Sequence, residues 1–214
     1  MIYLASASPR RHELLCQAGI LHEVLHVPSP PGEDEPRLSQ ETPHDYVLRT
    51  AHEKALRALH WLGRDVDAAE PAWPRSDQRR PLKALLTADT TVILGDDILG
   101  KPVDTADAAN MLRRLSGTRH EVHTAIVVAV PGSPGTPDKL YDDVSRTEVK
   151  FADLTEEQIS VYCASGEPMG KAGAYGIQGR AAAFVEYIRG SYTAVVGLPL
   201  YETARLLKRA GIKL

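Results

Sequence analysis

The sequence predicts an α/β fold in one domain spanning residues 1–214, and three observations carry that expectation. Strand-sized apolar runs alternate with helical segments that bring their own capping residues. The chain opens on a strand, a tight connection and a helix. Its 214 residues, 43% hydrophobic and 25% charged, suffice for one substantial core and match the composition of a folded globular protein.

Ile2 to Ala5 reads as a short buried strand, and Arg10 to Ala18 as a helix closed by Gly19. Glu23 to Val27 reads as a second strand, followed by a proline-rich acidic loop. Thr42 offers an N-cap with Pro43 at the first helical position, opening an amphipathic helix to about Leu62. Gly63 to Leu82 has no sustained period and reads as an exposed excursion. Lys83 to Leu94 is a β-branched strand that turns at Gly95-Asp96-Asp97 and returns through Ile98 and Leu99. A helix capped by Asp104 or Thr105 runs to Leu115. Glu121 to Val130 and Lys139 to Phe151 form a hairpin or meander across PGSPGTP. Thr155 and Gln158 make a capping-box pattern for a helix ending near Ser165. Phe184 to Ile188 is the last strand, and Pro199 begins the last helix.

Charge and cysteine usage narrow the function. A net charge of −3 argues against a nucleic-acid polymer as partner, because counterion release needs a clustered basic surface, yet it leaves room for a local pocket that binds a small anion. Cys16 and Cys163 sit at apolar helical positions without metal-ligand spacing, and buried thiols in a reducing compartment are expected. The best apolar run, Ala125 to Val130, is strand-sized, so a cytoplasmic protein without a membrane span is expected.

The segment Gly166 to Gly179, GEPMGKAGAYGIQG, places five glycines around Lys171 and ends on Gln178. Glycines let a ligand approach the main chain, an ammonium suits phosphate, and a carboxamide can read a base edge. SASPRR follows a strand and opens a helix, where free N–H groups and the helix dipole attract an anion. There Ser6 and Ser8 add hydroxyls, and Arg10 and Arg11 add guanidinium forks. Asp89, in Ala88-Asp89-Thr90, could hold Mg²⁺ or orient a water. Lys101, stiffened by Pro102, is a second cation aimed inward; Lys54 is a third candidate, for which an exposed helix face is the default explanation. Glu35 could complete a metal site with Asp89, or simply be solvated. Asp96 and Asp97 read as hairpin-turn residues. Of eight histidines, only His120 and His123 have spacing worth testing, and three apart on a strand they face opposite sides.

Taken in order, SASPRR, ADT, GKP, LSGTRHEVHTA, GEPMGKAGAYGIQG and GSYTAVVGLPL resemble the Maf family of nucleoside triphosphate pyrophosphatases, once named septum formation inhibitors. The resemblance spans nearly the whole chain. It implies a mixed sheet with flanking helices and a long central cleft, similar to the inosine triphosphate pyrophosphatase fold, with a divalent metal (Mg or Mn) and a homodimer. It also implies release of a nucleoside monophosphate and pyrophosphate. By resemblance Asp89 is the catalytic base; Arg11, Thr90 and Gln178 bear on substrate choice; and Ser6, Glu35, Lys54, Lys101 and Lys171 are further polar residues of the cleft. The ending Ile177-Gln178-Gly179 looks like the branch acting on dTTP and UTP rather than the branch acting on 7-methyl-GTP. Gly170 stands where many bacterial members carry aspartate. The alternatives are a non-catalytic nucleotide-binding regulator of cell division and a pyrophosphatase for 7-methyl-GTP or other modified nucleotides.

Overall fold

The computed structural model describes residues 1–28, 35–64, 83–132 and 138–213, and in it one central strand, β3 (Leu85–Leu94), organises the fold. Its β-branched sequence LLTADTTVIL is buried at every position except Thr90 and Leu94. β1 (Ile2–Leu4) pairs in parallel with β2 (His22–Val24) and with β3. β4 (Asp97–Leu99), β5 (Arg119–Val130), β6 (Lys139–Phe151) and β7 (Val185–Arg189) join through antiparallel ladders. The result is a seven-stranded mixed sheet in the order β2-β1-β3-β5-β6-β7, with β4 on β3.

One edge of β3 is interrupted. On the β5 side its ladder runs without a break from Leu85↔Ala129 to Ile93↔Glu121. On the other side pairing to β1 stops at Leu86↔Leu4 and pairing to β4 starts at Val92↔Leu99. Between them Thr87 to Thr91 have no strand partner on that side, among the described residues. A cleft opens at this gap.

Period-two alternation sorts the core into two layers. Ala125 and Val127 of β5 pack against Val47, Ala51 and Ala55 of α2 (Pro43–Leu59), whose small side chains let helix and sheet approach closely. Leu86 and Ala88 of β3, with Ile126 and Val128 of β5, face the other way. There they meet α1 (Pro9–Gln17), α3 (Thr105–Leu115), α4 (Glu156–Ala164) and α6 (Leu200–Arg209) through Leu14, Leu15, Leu112, Leu115, Ile159, Leu206 and Leu207.

Local signals act as expected at several ends. Thr42 accepts from Asp45 N, Asp104 from Asp107 N, and Thr155 and Gln158 form the reciprocal capping box. Gly95, at φ +62, makes the first position of the two-residue β3–β4 turn. Other expectations need correction. The second strand is His22–Val24, not Glu23 to Val27, because a three-residue β1 offers no further partners. Cys16 is exposed while Cys163 is buried, since the inward stripe of α1 is Leu14 and Leu15 and position 16 falls off it. A short helix, α5 (Tyr192–Val196), is capped by Ser191; five residues are too few to show a period. Of the excursion Gly63 to Leu82, residues 65–82 lie outside the described residues, as do 29–34 of the acidic loop and 133–137 between β5 and β6. No helix among the described residues is long and apolar enough to cross a membrane.

His120 links β5 to the glycine-rich segment. Its ring stands edge-on to Phe151 and Tyr175, and its Nε2 lies 2.9 Å from the Tyr175 hydroxyl. Burial pushes its pKa from 6.5 down to about 4. Below pH 6.5 the unfolded chain takes up a proton that the folded ring refuses, so stability falls as pH drops from 6.5 through about 4. Urea denaturation over this range should show the parent protein losing about 3 kcal/mol more than His120→Gln. Parallel stability curves for the two proteins would show that the ring titrates normally.

Candidate active site

Alternation along β3 points Thr87 and Asp89 at α2. Thr87 Oγ1 donates to the Ala51 carbonyl at 2.9 Å. Asp89 meets Thr50 and Lys54, which share one face of α2 at a spacing of four. Thr50 Oγ1 donates to Asp89 Oδ2 at 2.9 Å, and Lys54 Nζ donates to Oδ1 at 2.6 Å. The same ammonium lies 2.5 Å from Glu35 Oε1. Asp89 is only 6% exposed. Burial pushes its carboxyl pKa up, but the charge and hydrogen bond of Lys54, the charge of Arg11 and the Thr50 hydroxyl outweigh it and hold the group below its ordinary 3.8. Asp89 is therefore a buried anion at neutral pH.

Thr90 points to the opposite face, toward α1 and α5. Arg11 donates from Nε to the Gly197 carbonyl (2.9 Å), from Nη1 to Ser6 Oγ (3.0 Å) and from Nη2 to Thr90 Oγ1 (3.4 Å). Thr124 Oγ1 lies 3.1 Å from Thr90 Oγ1 and donates to the Ala194 carbonyl at 2.8 Å. Arg11 is thus held by three elements rather than waving at the surface. Burial lowers its pKa and Asp89 opposes the shift, but a guanidinium stays charged. Ser8 is the N-cap of α1 yet makes no side-chain capping bond; instead its N–H donates to Ser6 Oγ at 3.2 Å.

The glycine-rich segment closes the cleft from the far side. Gly173, at φ +65, donates its N–H to the Gly100 carbonyl at 3.0 Å, and a Cβ there would come within 2.9 Å of Val92. This close approach pins the segment to β3. Lys171 lies back across Gly176, where a Cβ would meet its Cε at 3.0 Å, and its ammonium donates to the Glu167 carbonyl. Burial and the neighbouring Arg10 lower the Lys171 pKa, against the pull of Glu167. Gln178 is exposed at the cleft wall. Gly170 adopts φ +71 with open space where a side chain would begin. Lys101 lines the cleft but is exposed, not turned inward, because Pro102 rather than the lysine is the buried residue of that turn.

The ten residues expected from the sequence to catalyse, bind substrate or hold a metal line one cleft of about 620 Å³: Ser6, Ser8, Arg11, Glu35, Lys54, Asp89, Thr90, Lys101, Lys171 and Gln178. Arg10 and Arg57 line it too. Arg57 belongs to no motif, but it stands three residues after Lys54 on α2, a spacing that puts both on one helix face. Six cationic side chains thus face two carboxylates, in a protein whose net charge is −3. That local excess suits a polyanion. Asp96 stays in the β3–β4 turn, while Asp97 opens β4 and pairs with Arg114 at 2.5 Å. His123 pairs with Glu121 at 2.6 Å and, like His120, is not part of the cleft wall.

Glu35 and Asp89 are the residues of the cleft that could hold a divalent cation. Oxygens of Glu35 and Asp89 converge on a single positive centre, the Lys54 ammonium, at 2.5 and 2.6 Å. Carboxylate oxygens are the ligands that Mg²⁺ and Mn²⁺ prefer.

Residues 1–210 match the family model described as Maf-like protein. The chain belongs to the Maf family. A protein of Bordetella avium named dTTP/UTP pyrophosphatase is 54% identical over 213 residues, covering 100% of this chain and 96% of its own length. One of Ralstonia nicotianae with the same name is 49% identical over 215 residues, covering 100% of this chain and 95% of its own. One of Anaeromyxobacter dehalogenans, again so named, is 48% identical over 213 residues with coverage of 100% and 95%. The motif resemblance read from the sequence is thereby matched along the full chain.

The Thr50 hydroxyl on a buried carboxylate has a measurable energetic role in this family member. Thr50→Val keeps the shape and removes the donor, and should cost about 1.5–3 kcal/mol in denaturant unfolding at neutral pH. Thr50→Ser should recover most of it. A valine variant as stable as the parent would mean that Lys54 alone satisfies Asp89.

Proposed function

We propose that this protein hydrolyses dTTP and UTP to the nucleoside monophosphate and pyrophosphate. The observation that carries the reading is the cleft itself, where six cationic side chains line the same walls as one buried, ionised aspartate, in a chain similar end to end to proteins named for that activity. The reaction adds one water across the bond between the α- and β-phosphates. Chemically it needs charge neutralisation, an in-line water and a carboxylate to accept its proton.

Each requirement has residues to meet it. Arg11, Lys101 and Lys171, with Arg10 and Arg57, neutralise the triphosphate. Ser6, Ser8 and the uncapped first turn of α1 donate hydrogen bonds to phosphate oxygens. Asp89 orients the water and accepts its proton; although both its oxygens already accept hydrogen bonds, each keeps a second lone pair. Lys54 keeps Asp89 ionised, and Thr90 holds Arg11 in place. A divalent ion held by Glu35 and Asp89 would add charge stabilisation on the phosphates. Gln178 offers a donor and an acceptor side by side, matching the O4 and N3–H edge of thymine or uracil.

Turnover of a nucleotide panel with Mg²⁺ or Mn²⁺ tests the proposal. Equal amounts of dTMP and pyrophosphate should form from dTTP, and UTP should serve comparably. Asp89→Asn should lower kcat by about 10²–10⁴ while dTTP still binds. Binding without turnover in the parent protein would favour a nucleotide-binding regulator, and preference for 7-methyl-GTP would move the substrate class. Gln178→Glu should reduce kcat/KM for dTTP and UTP by roughly 10- to 100-fold relative to purine nucleotides, the cost of an unpaired polar edge. An unchanged preference would remove Gln178 from base recognition.

A further inference from the structure

Outside the cleft, the outward face of α1 and the edge strand β2 bring three soft or borderline donors together. His12 and Cys16 share a helix face at a spacing of four, and both are exposed. Gly19, at φ +68, ends the helix so sharply that the chain returns through Ile20 to place His22 beside them. His12 Nδ1 lies 2.8 Å from His22 Nε2 and 3.9 Å from Cys16 Sγ. One donor atom from each residue lies within 4.8 Å of the others.

These spacings bracket what a tetrahedral ion requires. With Zn–N near 2.05 Å and Zn–S near 2.3 Å, two nitrogens sit about 3.3 Å apart and a nitrogen and a sulfur about 3.6 Å apart. Rotations of exposed side chains cover the difference. His22 Nδ1 lies 2.7 Å from the Ile20 carbonyl, a bond that fixes the ring and turns Nε2 toward the cluster, as the outer partners of metal-bound histidines do. None of the three residues lines the cleft.

We propose that His12, Cys16 and His22 form a second metal site, selective for a borderline divalent ion of the Zn²⁺ class and clamping α1 to β2. Two imidazoles and a thiolate discriminate against Mg²⁺ and Mn²⁺, which favour oxygen ligands. Exposure leaves a fourth position for water. Binding expels the Cys16 thiol proton.

Co²⁺ is the probe, titrated into the full-length protein under a large excess of Mg²⁺ and followed by absorption. One equivalent should produce tetrahedral d–d bands and a thiolate-to-cobalt charge-transfer band, and Zn²⁺ should abolish both. Cys16→Ser should lose the charge-transfer band, and His22→Gln should weaken binding more than about tenfold. Asp89→Asn should leave the spectrum unchanged, placing the ion outside the cleft. Circular dichroism checks folding, with Cys16→Ala as the second cysteine variant. The proposal fails if no charge-transfer band forms, if the band persists without Cys16, or if it vanishes in Asp89→Asn; the His12–His22 contact is then a hydrogen bond only.

Discussion

The Lys54 ammonium, set between the buried Asp89 and Glu35, is the interaction on which the rest of the site depends. Burial of a carboxylate that is 6% exposed pushes its pKa up, because low-dielectric surroundings disfavour its charge. Lys54 does most to oppose that shift, with help from Arg11 and Thr50. To reach Asp89 it must stand on a helix lying close over β3, and the alanines at 51 and 55 permit that approach. Packing, protonation and placement are one constraint.

The interrupted edge of β3 explains how adjacent residues serve different walls. Alternation sends Asp89 toward α2 and Thr90 toward α1 and α5, so an unbroken sheet would bury them on opposite faces with a strand between. Because β1 stops at Leu4 and β4 begins its pairing at Leu99, no strand among the described residues fills the space beside Thr87 to Thr91. Both side chains then border the same cleft. The glycine-rich segment seals it only because Gly173 can approach Val92, and Gly176 can let Lys171 lie across the backbone.

Features encoded by neighbours in the chain were legible from sequence. The capping box of Thr155 and Gln158, the Asp104 cap and the Gly95 turn depend on residues a few positions apart. Short sequence motifs carried eight of the ten cleft residues for the same reason, all but Glu35 and Lys54. What escaped is set by tertiary contact. Thr50 looks like an ordinary helical threonine until Asp89 stands opposite it, Arg57 lies outside every motif, and the exposure of Cys16 depends on which stripe of α1 turns inward. Lys54 reads by default as a solvated lysine on an exposed helix face; only the fold brings it to two carboxylates.

The ionisation of Asp89 in the free protein tests this account most directly. Carbon-13 labelling of aspartate, with the Asp89 carboxyl assigned by its absence in an asparagine variant, follows that one group by NMR as pH falls. The account predicts a carboxyl that stays ionised below the ordinary value of 3.8 and titrates upward once Lys54 is replaced by methionine. A carboxyl that protonates above 3.8 in the parent protein, or that ignores the loss of Lys54, would contradict it.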